Sequence, residues 1–440
     1  MRRSPLLLLA LTLALPLGAQ ARLSAPETRI RDAVRAMRAE QVDFLERAVN
    51  IPSGTMNQAG VRQVGALFRA ALDSLGFRTR WAAMPDAMHR GGHLVAEHAG
   101  RAGGLRILLI GHLDTVFEGP GQQFVRRDTI ALGAGSSDMK GGDAIIVYAL
   151  KAMQRAGVLR DANVTVVMTG DEESAGDPVS ESRRDLMDAA RAADVALAFE
   201  GGNRDNATVA RRGASTWVLT VTGRQAHSSG IFASNYGAVF EMARILDEFR
   251  RELAPPTCAL GDDCRGLTFN PALVLGGETV AFDSAHVKGD AASKTNIIAP
   301  RAVVDGDLRF LTPTQLARAR ARMREIVARS LPGTSATITF QDEYPAMSPT
   351  PGNYRVLAVY DTVSRALGHG PVEALDPTRR GAGDISFVAP IIDGLDGLGA
   401  LGGGSHSPRE FVDLTTLPMQ TERAAVLIYR LSRERASVRR

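Results

Sequence analysis

Short apolar runs that end in polar residues alternate, along this chain, with stretches whose apolar residues recur every three or four positions. Residues 107–110, 163–169 and 195–199 read as buried strands, and residues 77–83 and 93–97 add two more. Residues 28–49, 61–75, 144–153, 178–191, 354–367 and 414–431 carry helical periodicity. Strands separated by helices of this length predict an α/β sheet, whose ligand sites lie at the carboxyl ends of the strands.

The texture changes near Gly213. Residues 215–221 alternate like a half-exposed strand, residues 236–253 and 314–330 are helical, and residues 267–275, 301–311 and 335–340 are strands. This βαββαβ order predicts an inserted α+β unit with an antiparallel sheet. The expected division is a first catalytic part over residues 22–212, an insert over 213–343, and a second catalytic part over 344–440.

Composition adds bounds. A chain of 440 residues exceeds one ordinary core. Its net charge of +4 comes with scattered arginines and no basic run interleaved with aromatics, so no nucleic-acid surface is expected. Arg2 and Arg3, the apolar run 6–17 and Ala19-Gln20-Ala21 read as an export signal cleaved after Ala21. The mature protein is then exported, periplasmic or secreted, and no later segment is long and apolar enough to hold it in a membrane. Cys258 and Cys264 stand six positions apart, without a further cysteine or a nearby histidine to complete a zinc set, which favours a loop-stapling disulfide.

The strand ends carry the chemistry. Residues 107–110 run into Gly111-His112-Leu113-Asp114, residues 163–169 into Asp171-Glu172-Glu173, and residues 195–199 into Glu200. His112 and Asp114 share a side of an extended segment, so the carboxylate can fix the imidazole tautomer. A glycine-rich turn surrounds Asp138 before the helix at 144–153, without the spacing of a nucleotide loop. His406 enters late, after Gly402-Gly403-Gly404-Ser405. Two imidazoles with Asp138, Glu173 and Glu200 suit two borderline divalent ions such as zinc, bridged by a hydroxide that is nucleophilic at neutral pH. Glu172, beside a ligand but facing another way, is the candidate general base.

These residues resemble the dinuclear zinc exopeptidases and amidohydrolases of the peptidase M20 type, most closely the glutamate carboxypeptidase branch. The likeness rests on Gly111-His112-Leu113-Asp114-Thr115, Ser137-Asp138-Met139-Lys140-Gly141-Gly142, Asp171-Glu172-Glu173, Phe199-Glu200, the insert, and Ser405-His406-Ser407. It implies a zinc-exopeptidase-like catalytic domain with a mixed sheet flanked by helices, and an insert that acts as lid and homodimer interface. It implies that His112 and Glu200 hold one zinc, Glu173 and His406 the other, with Asp138 bridging and the Asp138–Met139 peptide cis. Asp114 would orient His112, and Glu172 would shuttle the proton. His227 would stabilise the oxyanion, reaching the active site of the partner subunit. Asn296 and Arg309 would contact substrate, Arg309 through its terminal carboxylate. Gly381 and Gly383 would line the cleft.

The implied substrate is a small peptide or N-acyl amino acid. One feature departs from the branch: glutamate-preferring relatives carry basic residues near the end of the last lid strand, where this chain has Gln341-Asp342-Glu343-Tyr344. Acids there would repel a glutamate side chain. Two alternatives are a deacylase of a small N-acyl metabolite, using one metal ion or cobalt or manganese, and a catalytically silent binding homologue. His89, His93, His98, His286 and His369 match no motif and read as structural or exposed.

Overall fold

The computed structural model describes residues 22–119, 123–233, 235–284 and 286–435. The segment read as an export signal, 1–21, lies outside the described residues.

A six-stranded mixed sheet forms the centre, in the order Arg78–Ala82, His93–His98, Asn163–Thr169, Arg106–His112, Val195–Ala198, Gly394–Leu395. The first three strands run antiparallel to one another in succession, and the last four are mutually parallel. Alternate side chains leave opposite faces of a strand. Ile107 and Leu109 therefore join one apolar core with Val164, Val166 and Leu197, while Leu108 and Ile110 join another with Val167 and Ala196. Covering both faces makes the inner strands Arg106–His112, Asn163–Thr169 and Val195–Ala198 largely apolar runs. The larger core takes in the helices Ala25–Ala36, Gln58–Ser74, Lys140–Arg155, Pro351–Ala366 and Leu417–Arg433; the smaller takes in Arg184–Ala192 and Ile385–Val388.

Two expected helices are each divided. In place of one helix over 28–49 there are Ala25–Ala36 and Arg38–Val49. The break is Met37, whose side chain is buried and whose amide donates to the Val34 carbonyl at 3.0 Å, closing a tighter turn. The apolar stripe continues across it, so periodicity conceals the break. In place of one helix over 178–191 there are Val179–Ser182 and Arg184–Ala192. Here the break is Arg183, which is 0% exposed. Its Nη1 lies 2.6 Å from Asp171 and its Nε 2.7 Å from Asp384.

The insert is a four-stranded antiparallel sheet ordered Thr268–Gly277, Arg301–Phe310, Gly213–Gly223, Thr334–Tyr344. The helices Gly237–Leu253 and Pro313–Val327 cover one face, burying Trp217, Leu219, Phe249, Val304 and Ile326 in a separate core. The Cys258–Cys264 disulfide, with Cα atoms 6.0 Å apart, packs against this core. A hairpin of Thr279–Asp283 and Lys288–Ala292 was not anticipated. Its second strand, Lys-Gly-Asp-Ala-Ala, lacks the apolar alternation that marks a strand. Residues Ser284 and Val287 at its tip meet the sheet face that bears no helix among the described residues.

Arg183 ties the segment after the strand Asn163–Thr169 to the loop before the short helix Ile385–Val388. Arg183→Met is expected to leave Asp171 and Asp384 buried without a counter-charge and to cost about 3–5 kcal/mol in urea unfolding. A loss below about 1 kcal/mol would show that the ion pairs do not hold this region.

Candidate metal centre

Strand register brings the first groups together. Arg106–His112 pairs in parallel with Asn163–Thr169, His112 lying opposite Thr169, and with Val195–Ala198, Ile110 lying opposite Ala198. The chains leave these strands level with one another: Leu113 N donates to Thr169 O at 2.7 Å and Phe199 N to Ile110 O at 3.0 Å. His112, Glu172, Glu173 and Glu200 consequently emerge at one end of the sheet. Gly111 permits the approach of the next layer, since a Cβ there would stand 1.9 Å from Asp143 Oδ1. Gly142 does the same for the helix Lys140–Arg155, where a Cβ would meet the Phe199 carbonyl at 2.0 Å.

Asp138 and His406 arrive on loops, and one buried carboxylate joins those loops. Glu410, 1% exposed, accepts hydrogen bonds from the backbone N–H of Gly135 (2.9 Å), Ser137 (2.8 Å) and Asp138 (3.0 Å). It lies four residues beyond His406 and directly before the strand Phe411–Asp413. The Asp138–Met139 peptide is cis. His406 has φ +60°, a left-handed conformation uncommon for a residue with a Cβ.

Asp138 stands between the two imidazoles. Its Oδ1 is 3.3 Å from His112 Nε2, and its Oδ2 is 3.4 Å from His406 Nε2. Each imidazole has one further carboxylate: Glu200 Oε1 at 3.5 Å from His112 Nε2, and Glu173 Oε2 at 3.2 Å from His406 Nε2. The donors thus form two groups that share Asp138, namely His112/Asp138/Glu200 and Asp138/Glu173/His406, with all donor atoms in each within 4.8 Å. Glu172 and Glu173 also gather with His112.

Asp114 lies behind this cluster, fully buried. His112 Nδ1 is 3.1 Å from the Asp114 carbonyl and 3.5 Å from its Oδ1. The carboxylate accepts from Thr55 Oγ1 at 2.6 Å and from the backbone N–H of Glu172 and Glu173 at 3.0 and 3.1 Å. One side chain therefore fixes both the histidine ring and the loop that presents the two glutamates.

The electrostatics describe carboxylates in excess of available cations. Burial pushes Glu200 up to about 7, reinforced by Asp138. Burial likewise raises Glu172 well above the usual carboxyl range, with Glu200 adding to it. Hydrogen bonds to Asp138 and Glu173 hold His406 up at about 10. Burial opposes charge on His112, yet its contacts with Asp114 and Asp138 keep its pKa well above the ordinary value. The neighbouring cations are engaged elsewhere: Arg183 with Asp171 and Asp384, Arg211 with Asp396, and Lys140 Nζ with the Ile51 carbonyl at 2.8 Å. Two imidazoles that hold their protons beside three carboxylates fit divalent cations, which would take the place of those protons.

The remaining candidates lie on the insert and in the chain that follows it. His227 pairs with Ile297 across a short antiparallel bridge, and Asn296 accepts from Ser228 N at 2.9 Å. His227 Nδ1 lies 2.9 Å from Ser229 Oγ, and its side chain is exposed. Among the described residues, these hydrogen bonds join the two to each other's loops and not to the cluster. Arg309 is half-buried and 2.8 Å from Asp307. A Cβ on Gly381 would meet open space, whereas one on Gly383 would stand 2.8 Å from the Arg211 guanidinium. Glu410, Arg183, Arg211 and Tyr344 were missed from sequence. Tyr344, whose hydroxyl donates to the Glu172 carbonyl at 2.9 Å, ends the last strand of the insert and links that sheet to the cluster. None of the four sits in a short motif; only the third dimension reveals their partners. Of the histidines read as structural, His93 is 0% exposed and bonded to Ser182 O and Gly170 N, and His369 meets Glu422.

Residues 108–430 match the family described as Peptidase family M20/M25/M40. The chain is 26% identical over 406 residues to carboxypeptidase G2 of Pseudomonas sp. (strain RS-16), covering 88% of each. It is 26% identical over 384 residues to succinyl-diaminopimelate desuccinylase of Stenotrophomonas maltophilia (strain K279a), covering 83% of this chain and 93% of the relative. Its fold superposes on aminopeptidase PepT from Bacillus cereus with a TM-score of 0.71 at 17% identity, covering 90% and 99% of the two chains. With a match that spans most of its length, the chain belongs to peptidase family M20/M25/M40 and is a metallohydrolase of that family.

Proposed function

We propose that this protein hydrolyses an amide bond next to a free carboxylate, in a small peptide or an N-acyl amino acid, as a carboxypeptidase, dipeptidase or aminoacylase. The observation that carries the reading is the division of the Asp138 oxygens between His112 and His406, each imidazole having its own second carboxylate. His112, Asp138 and Glu200 would hold one divalent ion and Asp138, Glu173 and His406 the other, zinc being the ion such donors favour. Such ions, when bound, supply Lewis acidity and lower the pKa of coordinated water.

The chain's own groups do the rest. Glu172 takes a proton from the attacking water and delivers it to the leaving amine, its carbonyl and amide held by Tyr344 and Asp114. Asp114 orients His112. His227, supplied by the partner subunit, stabilises the tetrahedral oxyanion; Asn296 and Arg309 hold the substrate, Arg309 by its carboxylate; and Gly381 and Gly383 line the cleft. The names of the two relatives, a carboxypeptidase and a desuccinylase, favour an amide beside a carboxylate as the common chemistry.

The catalytic domain comprises residues 22–212 and 344–440, and residues 213–343 form a lid through which two copies pair. The exposed side chains Phe232, Val239, Phe240 and Val274 on the insert support a pairing surface. Export is supported by the N-terminal pattern of residues 1–21 and by the Cys258–Cys264 disulfide, which persists in oxidising compartments. Among the described residues, no helix is long and apolar enough to cross a membrane. Protein recovered from an exporting host is expected to begin at Arg22 and to behave as a dimer in light scattering. A chain beginning at Met1, or a monomer at every concentration, would contradict these parts of the reading.

Exhaustive chelation is expected to abolish hydrolysis of N-acyl amino acids and dipeptides, and added zinc to restore it. Glu172→Gln is expected to keep its metal content by elemental analysis while kcat falls by about two to four orders of magnitude. Undiminished kcat in that variant would remove Glu172 from the proton path.

A further inference from the structure

A cavity of about 600 Å³ lies between the uncovered face of the insert's sheet and the tip of the hairpin. Asp305, Glu343, Val218 and Thr339 are among its walls, and Ser284 and Val287 close it from the hairpin side.

Two carboxylates line this space, and neither forms an ion pair among the described residues, Arg309 being paired with Asp307. Asp305 is only 7% exposed, and its carboxylate has no hydrogen bond or ion pair among the described residues; burial alone raises its pKa. Glu343 stands where the register slips between Asp342 and Tyr344, so no residue of Gly213–Gly223 opposes it. Burial raises its pKa too, Asp307 and Asp305 add to the rise, and Arg309 offsets part of it. Asp342, by contrast, is paired with Arg320 of the helix Pro313–Val327. The acids in the sequence Gln341-Asp342-Glu343 are therefore not one patch: Asp342 serves the fold, and Glu343 is left for the cavity.

Register relates the cavity to the metal centre. Ala214 lies opposite both Arg309 and Tyr344, Thr216 opposite Asp307 and Gln341, and Val218 opposite Asp305 and Thr339. Successive rows on one face are about 7 Å apart. Tyr344, bonded to the Glu172 carbonyl, marks the end nearest the cluster. From there the face presents Arg309, then Asp307, then Asp305. A cation with an alkyl stem matches this order: the stem lies along Val218 and Val287, and the charge reaches Asp305 and Glu343.

We infer that this cavity is a specificity pocket for a cationic side chain, so that the preferred substrates carry lysine, arginine or a similar basic residue at the free carboxylate. The inference rests on the reading of Arg309 as the anchor of that carboxylate. It reverses the glutamate preference of the branch this sequence resembles.

The test compares N-acetyl-L-lysine, N-acetyl-L-norleucine and N-acetyl-L-glutamate as substrates of the metal-loaded enzyme. Norleucine keeps the stem and removes the charge. The lysine compound is expected to exceed norleucine in kcat/KM by about tenfold or more, and glutamate to be the poorest. In Asp305→Asn and Glu343→Gln the lysine-to-norleucine ratio is expected to fall toward one. Equal rates for lysine and norleucine in the wild type, or a ratio that survives both substitutions, would overturn the inference. Calorimetric titration of free L-lysine against L-norleucine reads the pocket without turnover. If no amide is cleaved at all, the hydrolase reading fails, and the titration still decides the pocket: lysine binding at least about tenfold tighter supports it, and equal binding overturns it.

Discussion

Negative charge gathered where water is scarce is the constraint from which this molecule is built. Asp114, Asp138, Glu172, Glu173 and Glu200 meet at one end of the sheet, and Asp114 is wholly buried there. Two histidines are the bases that touch them, and Arg183 and Arg211 nearby are occupied by other acids. An uncompensated buried carboxylate costs several kcal/mol, so such a cluster persists only if protons or metal ions neutralise it. Protons on His112 and His406 do so in part, and divalent cations do so more fully. Folding and metal affinity are thereby one problem: the fold holds the acids in place, and the ions lower the cost of holding them.

The supporting residues follow from that constraint. Asp114 bonds to the backbone of Glu172 and Glu173 while sitting against His112, which couples two strand ends through one carboxylate. Glu410 does the same for the two loops, gathering three amides of the Asp138 turn beside the segment that bears His406. Arg183 carries Asp171 on one side and Asp384 on the other, and its hydrogen bond to the Tyr344 hydroxyl at 3.4 Å extends the network to the insert. Charges that are expensive singly become tolerable because each is multiply bonded.

Much of this was legible in the sequence because strand ends announce themselves. The runs before His112, Asp171 and Glu200 are continuous and apolar, and a parallel sheet aligns such ends without further information. The βαββαβ order of the insert was visible in the same way. The helix breaks at Met37 and Arg183 were not, since a buried break leaves the apolar stripe intact. The hairpin Thr279–Asp283/Lys288–Ala292 was hidden by glycine and charge in its second strand. Glu410 looked like any acid in a polar loop, because its partners are amides more than 270 positions away. Gln341-Asp342-Glu343 looked like a single acidic patch, and only the register shift and Arg320 separate its members.

The measurement that bears most directly on this account is anomalous diffraction at the zinc edge from crystals of the metal-loaded protein. The account predicts two peaks per chain, one beside His112 and Glu200, one beside His406 and Glu173, with Asp138 between them. A single peak, or a pair in which Asp138 touches neither ion, would contradict it.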